Sequence, residues 1–202
     1  MNTESRLYGI VFTFVYTFVF MVFLTVVYLF ARDKIELNEQ LFRQKALLNA
    51  MGIEYTTDTD AAKKYEEMIS REDVDDTTLY TATVDETNVN LITFAGQGLW
   101  GTIHGALSVN DEVTRIIGLD IISHSETPGL GGRIAEEWFL RQFRGEKIEN
   151  GSITFTQGDG NYQNDDAEVD AITGATRTSE ALEDMINKAL STLQELEQEG
   201  EL

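Results

Sequence analysis

Hydrophobic positions follow three regimes along the chain, and each predicts a different kind of element. In the first there is no polar face: the 25 residues between Arg6 and Arg32 carry no charge and are rich in Phe, Val, Leu and Tyr. At about 1.5 Å per residue such a run spans the roughly 30 Å hydrocarbon core of a bilayer. A secretory signal has a shorter apolar region and small residues at a cleavage site, whereas this run ends Tyr28-Leu29-Phe30-Ala31-Arg32, so a retained single-pass anchor is expected. The second regime is helical. Ile35, Leu37, Leu41, Leu48 and Met51 mark an amphipathic helix ending near Gly52, and a short helix follows over 60–69.

The third regime has a period of two. Residues 79–84, 91–94, 102–107 and 113–122 are short β-branched or alternating runs separated by Asp, Asn and Gly, which predicts an antiparallel sheet. A helix is expected over Ile134 to Phe143 and a strand over Ile153 to Thr156, followed by a glycine- and Asp-rich loop at 158–166. Leu182, Ile186, Ala189, Leu193 and Leu196 return to helical spacing. Strands grouped between helices give an α+β fold. The expected organisation is a short N-terminal tail at 1–6, a transmembrane helix at 7–31, an amphipathic connecting helix at 32–52, one domain at 53–194 and a solvated acidic tail at 195–202. No internal repeat is apparent.

Composition narrows the chemistry. Cysteine is absent and histidine occurs twice, which excludes disulfides and iron–sulfur ligation within the chain and argues against a His-rich metal site. The net charge is −20, and nearly all of it lies beyond residue 34. A chain this acidic is repelled by nucleic acid and by anionic headgroups, so its partners are small molecules or other proteins. Arg32, Lys34, Arg43 and Lys45 follow the apolar run, so local charge does not favour an external C-terminal domain.

Three stretches are candidates for chemistry. Asp170-Ala171-Ile172-Thr173-Gly174-Ala175-Thr176-Arg177-Thr178-Ser179 opens the last helix. Ser and Thr are favoured there because a side-chain oxygen accepts from an unpaired amide, and the free amides with the helix dipole attract an anion. Gly174 and Ala175 remove bulk beside Thr176. An ordinary capped helix gives the same pattern. Gly96-Gln97-Gly98-Leu99-Trp100-Gly101 matches a dinucleotide fingerprint with Asp120 beyond it, but Thr102 to Val109 reads as a strand where that fingerprint needs a helix. A tight turn with Trp100 as an apolar wall is expected instead. Ser125-Glu126-Thr127-Pro128-Gly129-Leu130-Gly131-Gly132-Arg133 holds the only proline, and predicts a rigid turn with exposed amides before a helix.

The Asp-x-x-Thr-Gly-Ala-Thr stretch with its following Thr-Ser, the Gly-x-Gly-Leu-Trp turn and the Glu-Thr-Pro-Gly-Leu-Gly loop together resemble the FMN-binding domain family. That family includes the G subunit of the Rnf electron-transport complex and the C subunit of the sodium-translocating NADH:quinone oxidoreductase. The resemblance covers roughly residues 80–190 and the N-terminal anchor. It implies FMN joined through a phosphoester to Thr176 by a flavin transferase that uses FAD and reads Asp170, Thr173, Gly174 and Ala175. Thr173 stands where many members have Ser. It implies that the Glu126 to Gly131 loop is part of the flavin pocket; Leu99, Trp100, Glu126, Thr127, Gly129, Leu130 and Gly131 are the candidate pocket residues, and Glu126 is expected to cap amides or accept from the flavin. It further implies a flavin domain on the periplasmic or extracytoplasmic side of the plasma membrane, and an electron carrier among the membrane subunits of an Rnf- or Nqr-type ion-translocating complex rather than an enzyme by itself. Two other readings remain: a stand-alone anchored flavodomain, and a non-redox interaction module in which Thr176 is only a helix cap.

Overall fold

The computed structural model describes residues 3–74, 77–157 and 165–202. Residues 158–164 of the expected polar loop, and the first two residues of the expected tail, lie outside the described residues. The chain divides into two units, Met1–Gln40 and Leu41–Leu202. The first is helical, part of α1 (Thr3–Ala50), and its large apolar side chains from Leu7 to Phe30 are exposed. Tyr8 stacks on Phe12 and Phe12 on Tyr16, one turn apart, with ring centroids separated by 6.2 and 6.3 Å. α1 is long and apolar enough to cross a membrane.

The second unit is α+β, as the periodicities predict. Its sheet contains β1 (Ser70–Val74), β2 (Thr77–Val84), β3 (Thr87–Gln97), β4 (Thr102–Asn110) and β5 (Ile116–Ser123), in that order. Each strand is antiparallel to the next. Alternation sends Leu79, Ile92, Ile103, Leu107 and Ile121 to one face, where they share a core with Leu182, Ile186, Leu190 and Leu193 of α4 (Thr176–Glu199). The opposite face carries Tyr80, Leu91 and Ala106, packed with Leu47, Leu48 and Met51 and with Ala61 of α2 (Asp58–Met68). The residues preceding Gly52 approach the sheet because Gly118 lacks a side chain: a Cβ there would lie 2.5 Å from the Ala50 carbonyl oxygen. The Ser108 hydroxyl donates to that same carbonyl.

Two strands have no apolar signature. β1 is Ser-Arg-Glu-Asp-Val, an exposed charged edge that pairs only with β2, and charge on an edge blocks further strand addition. β7 (Glu168–Asp170) has three residues and pairs in parallel with β6 (Thr154–Thr156). The single helix expected over 134–143 is instead a 3-10 turn at Gly131–Ala135, α3 (Glu137–Leu140) and a 3-10 turn at Arg141–Phe143. The break falls at Glu136, whose backbone is extended at φ −79° and ψ 140° and whose carboxylate accepts from both Arg133 Nε and Trp138 Nε1. Phe139 and Phe143 then meet Phe155 of β6, with centroids 6.0 and 5.9 Å apart. α4 outlasts the start of the expected acidic tail: Leu196 is buried, and the helix ends at Gly200 with φ +77°.

Two substitutions probe this packing. Gly118→Ala forces the Ala50 carbonyl away from β5 and is expected to lower stability by about 1–3 kcal/mol, read from denaturant unfolding of the two proteins. Glu146 is buried and its Oε1 accepts the amides of Lys147 and Ala167, each at 3.0 Å; burial pushes its carboxyl above the usual range. The folded protein therefore holds that proton more tightly than the unfolded chain, and stability falls as pH rises from the ordinary glutamate value through the raised one. Glu146→Gln keeps both accepted bonds and removes that slope. Its denaturation midpoint should match the parent below this interval and exceed it above.

Candidate functional site

Thr176 is the first residue of α4. The approach to it is a turn at Thr173-Gly174, with Gly174 at φ +82°, a conformation that glycine adopts without strain. Ala175 donates to the Ile172 carbonyl at 3.0 Å, and Ile172 donates to Ser179 Oγ at 3.1 Å. Ala175 occupies the cap position at φ −130° and ψ 42°, and no side chain caps the helix. The expected capping by Ser or Thr is therefore absent. Thr178 and Ser179 are buried, while Thr173, Thr176 and Arg177 are exposed. The helix ladder begins with Ser179 N–H to the Ala175 carbonyl, so the amides of Thr176, Arg177 and Thr178 belong to the unpaired first turn. No acidic residue lies in that turn, which leaves the positive end of the helix dipole available to an anion.

The three candidate stretches meet at one carboxylate. Glu126 is 4% exposed; Oε1 accepts the backbone N–H of Trp100 at 3.0 Å and Oε2 accepts the Thr178 hydroxyl at 2.6 Å. Two glycines make room for it. A Cβ on Gly98 would lie 2.6 Å from Oε1, and one on Gly131 would lie 2.7 Å from Oε2 and 2.6 Å from Thr178 Oγ1. Glu126 thus caps a neighbouring amide, and both of its oxygens are taken by protein donors. Its own N–H donates to His124 Nδ1 at 3.2 Å.

The loop after Glu126 is closed by the Thr127 carbonyl, which accepts from Leu130 at 3.1 Å and from Gly132 at 2.9 Å around Gly129 at φ +73°. It carries Leu130 outward to Gly174, where a Cβ would lie 3.7 Å from Leu130 Cδ2. The 98–101 turn is a hairpin between β3 and β4, with Gly98 donating to the Gly101 carbonyl at 2.8 Å. No helix opens there, and Asp120 lies opposite Ala106 with its carboxylate bonded to Asn49 at 2.7 Å. A dinucleotide fold is excluded. Among the described residues beyond α1, the exposed large apolar side chains are Met68, Leu99, Trp100 and Leu130. Three of these four sit on the loops joined by Glu126, so the exposure is concentrated at one place and fits an apolar ligand or partner surface.

On its other side Thr176 borders a groove of about 350 Å³ lined by Phe155, Gln157, Thr173, Gly174, Glu180 and Glu183, among others. Asp170 lies behind it at the end of β7, its N–H bonded to Gln142 Oε1 at 2.9 Å. Thr178, Phe155, Gln157, Glu180 and Glu183 are not legible from the sequence as site residues. Thr178 is visible there only as part of a motif, since its partner lies 52 residues upstream. The groove residues come from β6 and the residue after it, from the turn before α4 and from the first turns of α4, and no shared spacing connects them.

Residues 98–191, which hold these three loops and most of α4, match the FMN-binding domain family. The chain is similar to the C subunit of the Na(+)-translocating NADH-quinone reductase of Pasteurella multocida, 34% identical over 91 residues that make up 44% of this chain and 35% of that protein. The matched part is about a third of that relative's length. Among solved structures, the C subunit of the Na(+)-translocating NADH-quinone reductase of Parabacteroides distasonis superposes with a TM-score of 0.67 at 26% identity, over 79% of this chain and 93% of that one. NqrC of Shewanella oneidensis shares the fold, with a TM-score of 0.61 at 16% identity over 73% of this chain and 89% of that one.

The chemistry of the residues present fits FMN: an exposed hydroxyl at an uncapped helix start for the phosphate, and exposed Leu99, Trp100 and Leu130 for a planar ring. Gly131→Ala tests how the loops are held. It intrudes on both Glu126 and Thr178, and loss of their bond is expected to destabilise the protein by about 1–3 kcal/mol, with faster hydrogen exchange at the Trp100 amide.

Proposed function

We propose that this chain is a membrane-anchored flavoprotein that carries electrons on one FMN joined to Thr176, within an ion-translocating complex of the sodium-translocating NADH–quinone reductase type. The observation that carries the reading is the position of Thr176. It is an exposed hydroxyl on the first residue of an uncapped helix, two residues before Thr178, which shares the Glu126 carboxylate with the Trp100 amide. Of the four hydroxyls between 173 and 179, Thr178 and Ser179 are buried and already bonded, which leaves Thr173 and Thr176 open, and Thr176 alone stands on the helix.

In the attachment step the Thr176 oxygen bonds to the flavin-side phosphorus of FAD, the bond to the bridging pyrophosphate oxygen breaks, AMP leaves and the hydroxyl proton goes to solvent. The catalyst is a flavin transferase that reads Asp170, Thr173, Gly174 and Ala175. Thr127, Gly129 and Gly131 shape the loop that carries Leu130 over the ring. Bound through its phosphate, FMN keeps its redox atoms free, and electron transfer is the cofactor's chemistry. Residues 7–31 anchor the chain, and the folded unit from Leu41 onward is the flavin domain, on the extracytoplasmic side. Covalent attachment has a clear use there, because released FMN is not recovered.

The test is the intact mass of protein purified from membranes of cells that make the transferase, beside Thr176→Ala. The parent is expected to carry an increment of one FMN less one water, and the variant none. An unmodified parent in the presence of active transferase overturns the covalent reading. Co-purification of other membrane subunits with the flavinylated chain separates a complex subunit from a stand-alone flavodomain.

A further inference from the structure

We infer that Glu126 sets the reduction equilibrium of the flavin from behind the pocket wall, as a buried negative charge that does not touch the ring. This role rests on the flavin reading of Thr176. Three observations carry it. Glu126 is 4% exposed and both oxygens are occupied, by Trp100 N–H and the Thr178 hydroxyl. Both donors are neutral, and among the described residues no cation forms an ion pair with this carboxylate. Its position is also set by the flavin reading: one oxygen holds the residue whose indole is to face the ring, and the other holds the first turn of the helix that is to carry the phosphate.

Hydrogen bonding alone does not require a charge at this position. A glutamine places its oxygen on Trp100 N–H and its amide on Thr178 Oγ1, with the hydroxyl turned to accept. A buried carboxylate without a cation is costly, and here the cost is reduced only by two donors and the helix dipole. What the charge adds is a field in the pocket wall. Two electrons and one proton from a reductant leave the flavin ring with one more negative charge, and a fixed anion close by opposes that gain. Across a protein wall of modest dielectric, a unit charge at about 10 Å shifts such an equilibrium on the order of tenfold. Glu126 therefore keeps the flavin a stronger electron donor than the same pocket with a neutral side chain would.

The experiment uses the full flavinylated chain in detergent, titrated with dithionite against a reference dye, with intact mass read on every preparation. For Glu126→Gln the ratio of reduced to oxidised flavin at a fixed poise should rise about tenfold. Thr178→Val leaves the carboxylate in place and removes one donor that disperses its charge, so the ratio should fall. A loaded Glu126→Gln protein with the parental midpoint overturns the inference. So does a folded Glu126→Gln protein that takes up no flavin, because the carboxylate is then needed to bind the cofactor. If Glu126→Gln does not fold, Thr178→Val decides, and a ratio that stays level or rises overturns the inference. A parent lacking the FMN mass increment defeats the flavin reading itself, whereas a loaded parent and loaded variant with equal midpoints defeat only the role of Glu126.

Discussion

A carboxylate that forms no ion pair among the described residues sits where three loops of this domain meet, and much of the local structure follows from the need to satisfy it. Two donors reach Glu126 from different parts of the chain, the Trp100 amide from the β3–β4 hairpin and the Thr178 hydroxyl from α4. A polar group this deep is stable only while its partners stay in place, so the hairpin, the loop and the helix are held in a common geometry. The same demand accounts for two glycines. Gly98 and Gly131 stand where any Cβ would press on the carboxylate oxygens, which is a steric requirement unrelated to turn formation. Trp100 is 68% exposed because its backbone, rather than its side chain, is what the interior takes hold of.

The sheet supplies the frame on which these loops are hung. α4 lies close to β3 because Gly96 has no side chain, and the Met185 side chain fills the place a Cβ would take. Phe94 lies across Gly105 in the same way, between paired strands. Small residues on β3 and β4 thus let bulky neighbours settle onto the sheet, and α4 covers that face along the row from Leu182 to Leu193.

How much of this is readable in the residues depends on the range of the interaction. β2 to β5 and α4 follow from periodicity, because alternation and the three-to-four repeat are local and the cores they face are large. β1 and β7 escape it, one because an edge strand is charged and the other because three residues leave no period to detect. The 134–143 segment has helical spacing, and Glu136 breaks it by serving Arg133 and Trp138, a local rearrangement that hydrophobic pattern does not record. Thr176 stands out through the composition of its motif and through a family resemblance. Its neighbours Thr178 and Ser179 have the composition of helix caps, yet they are tied sideways, to Glu126 and to Ile172. That outcome depends on partners far away in the chain or set by a turn, and only folding in three dimensions discloses it.

Thr176, the residue proposed to carry the flavin, has its geometry only as part of the first turn of α4. That turn exists because the rest of α4 is docked on the sheet through Leu182, Ile186, Leu190 and Leu193. The setting of Thr176 therefore depends on that docking. Before α4 docks, its hydroxyl is one of many along the chain, and it becomes distinct only once the helix is packed on the sheet. Under the proposed attachment, a transferase that reads this helix start meets a folded domain, so folding itself serves as the checkpoint that decides which molecules are ready.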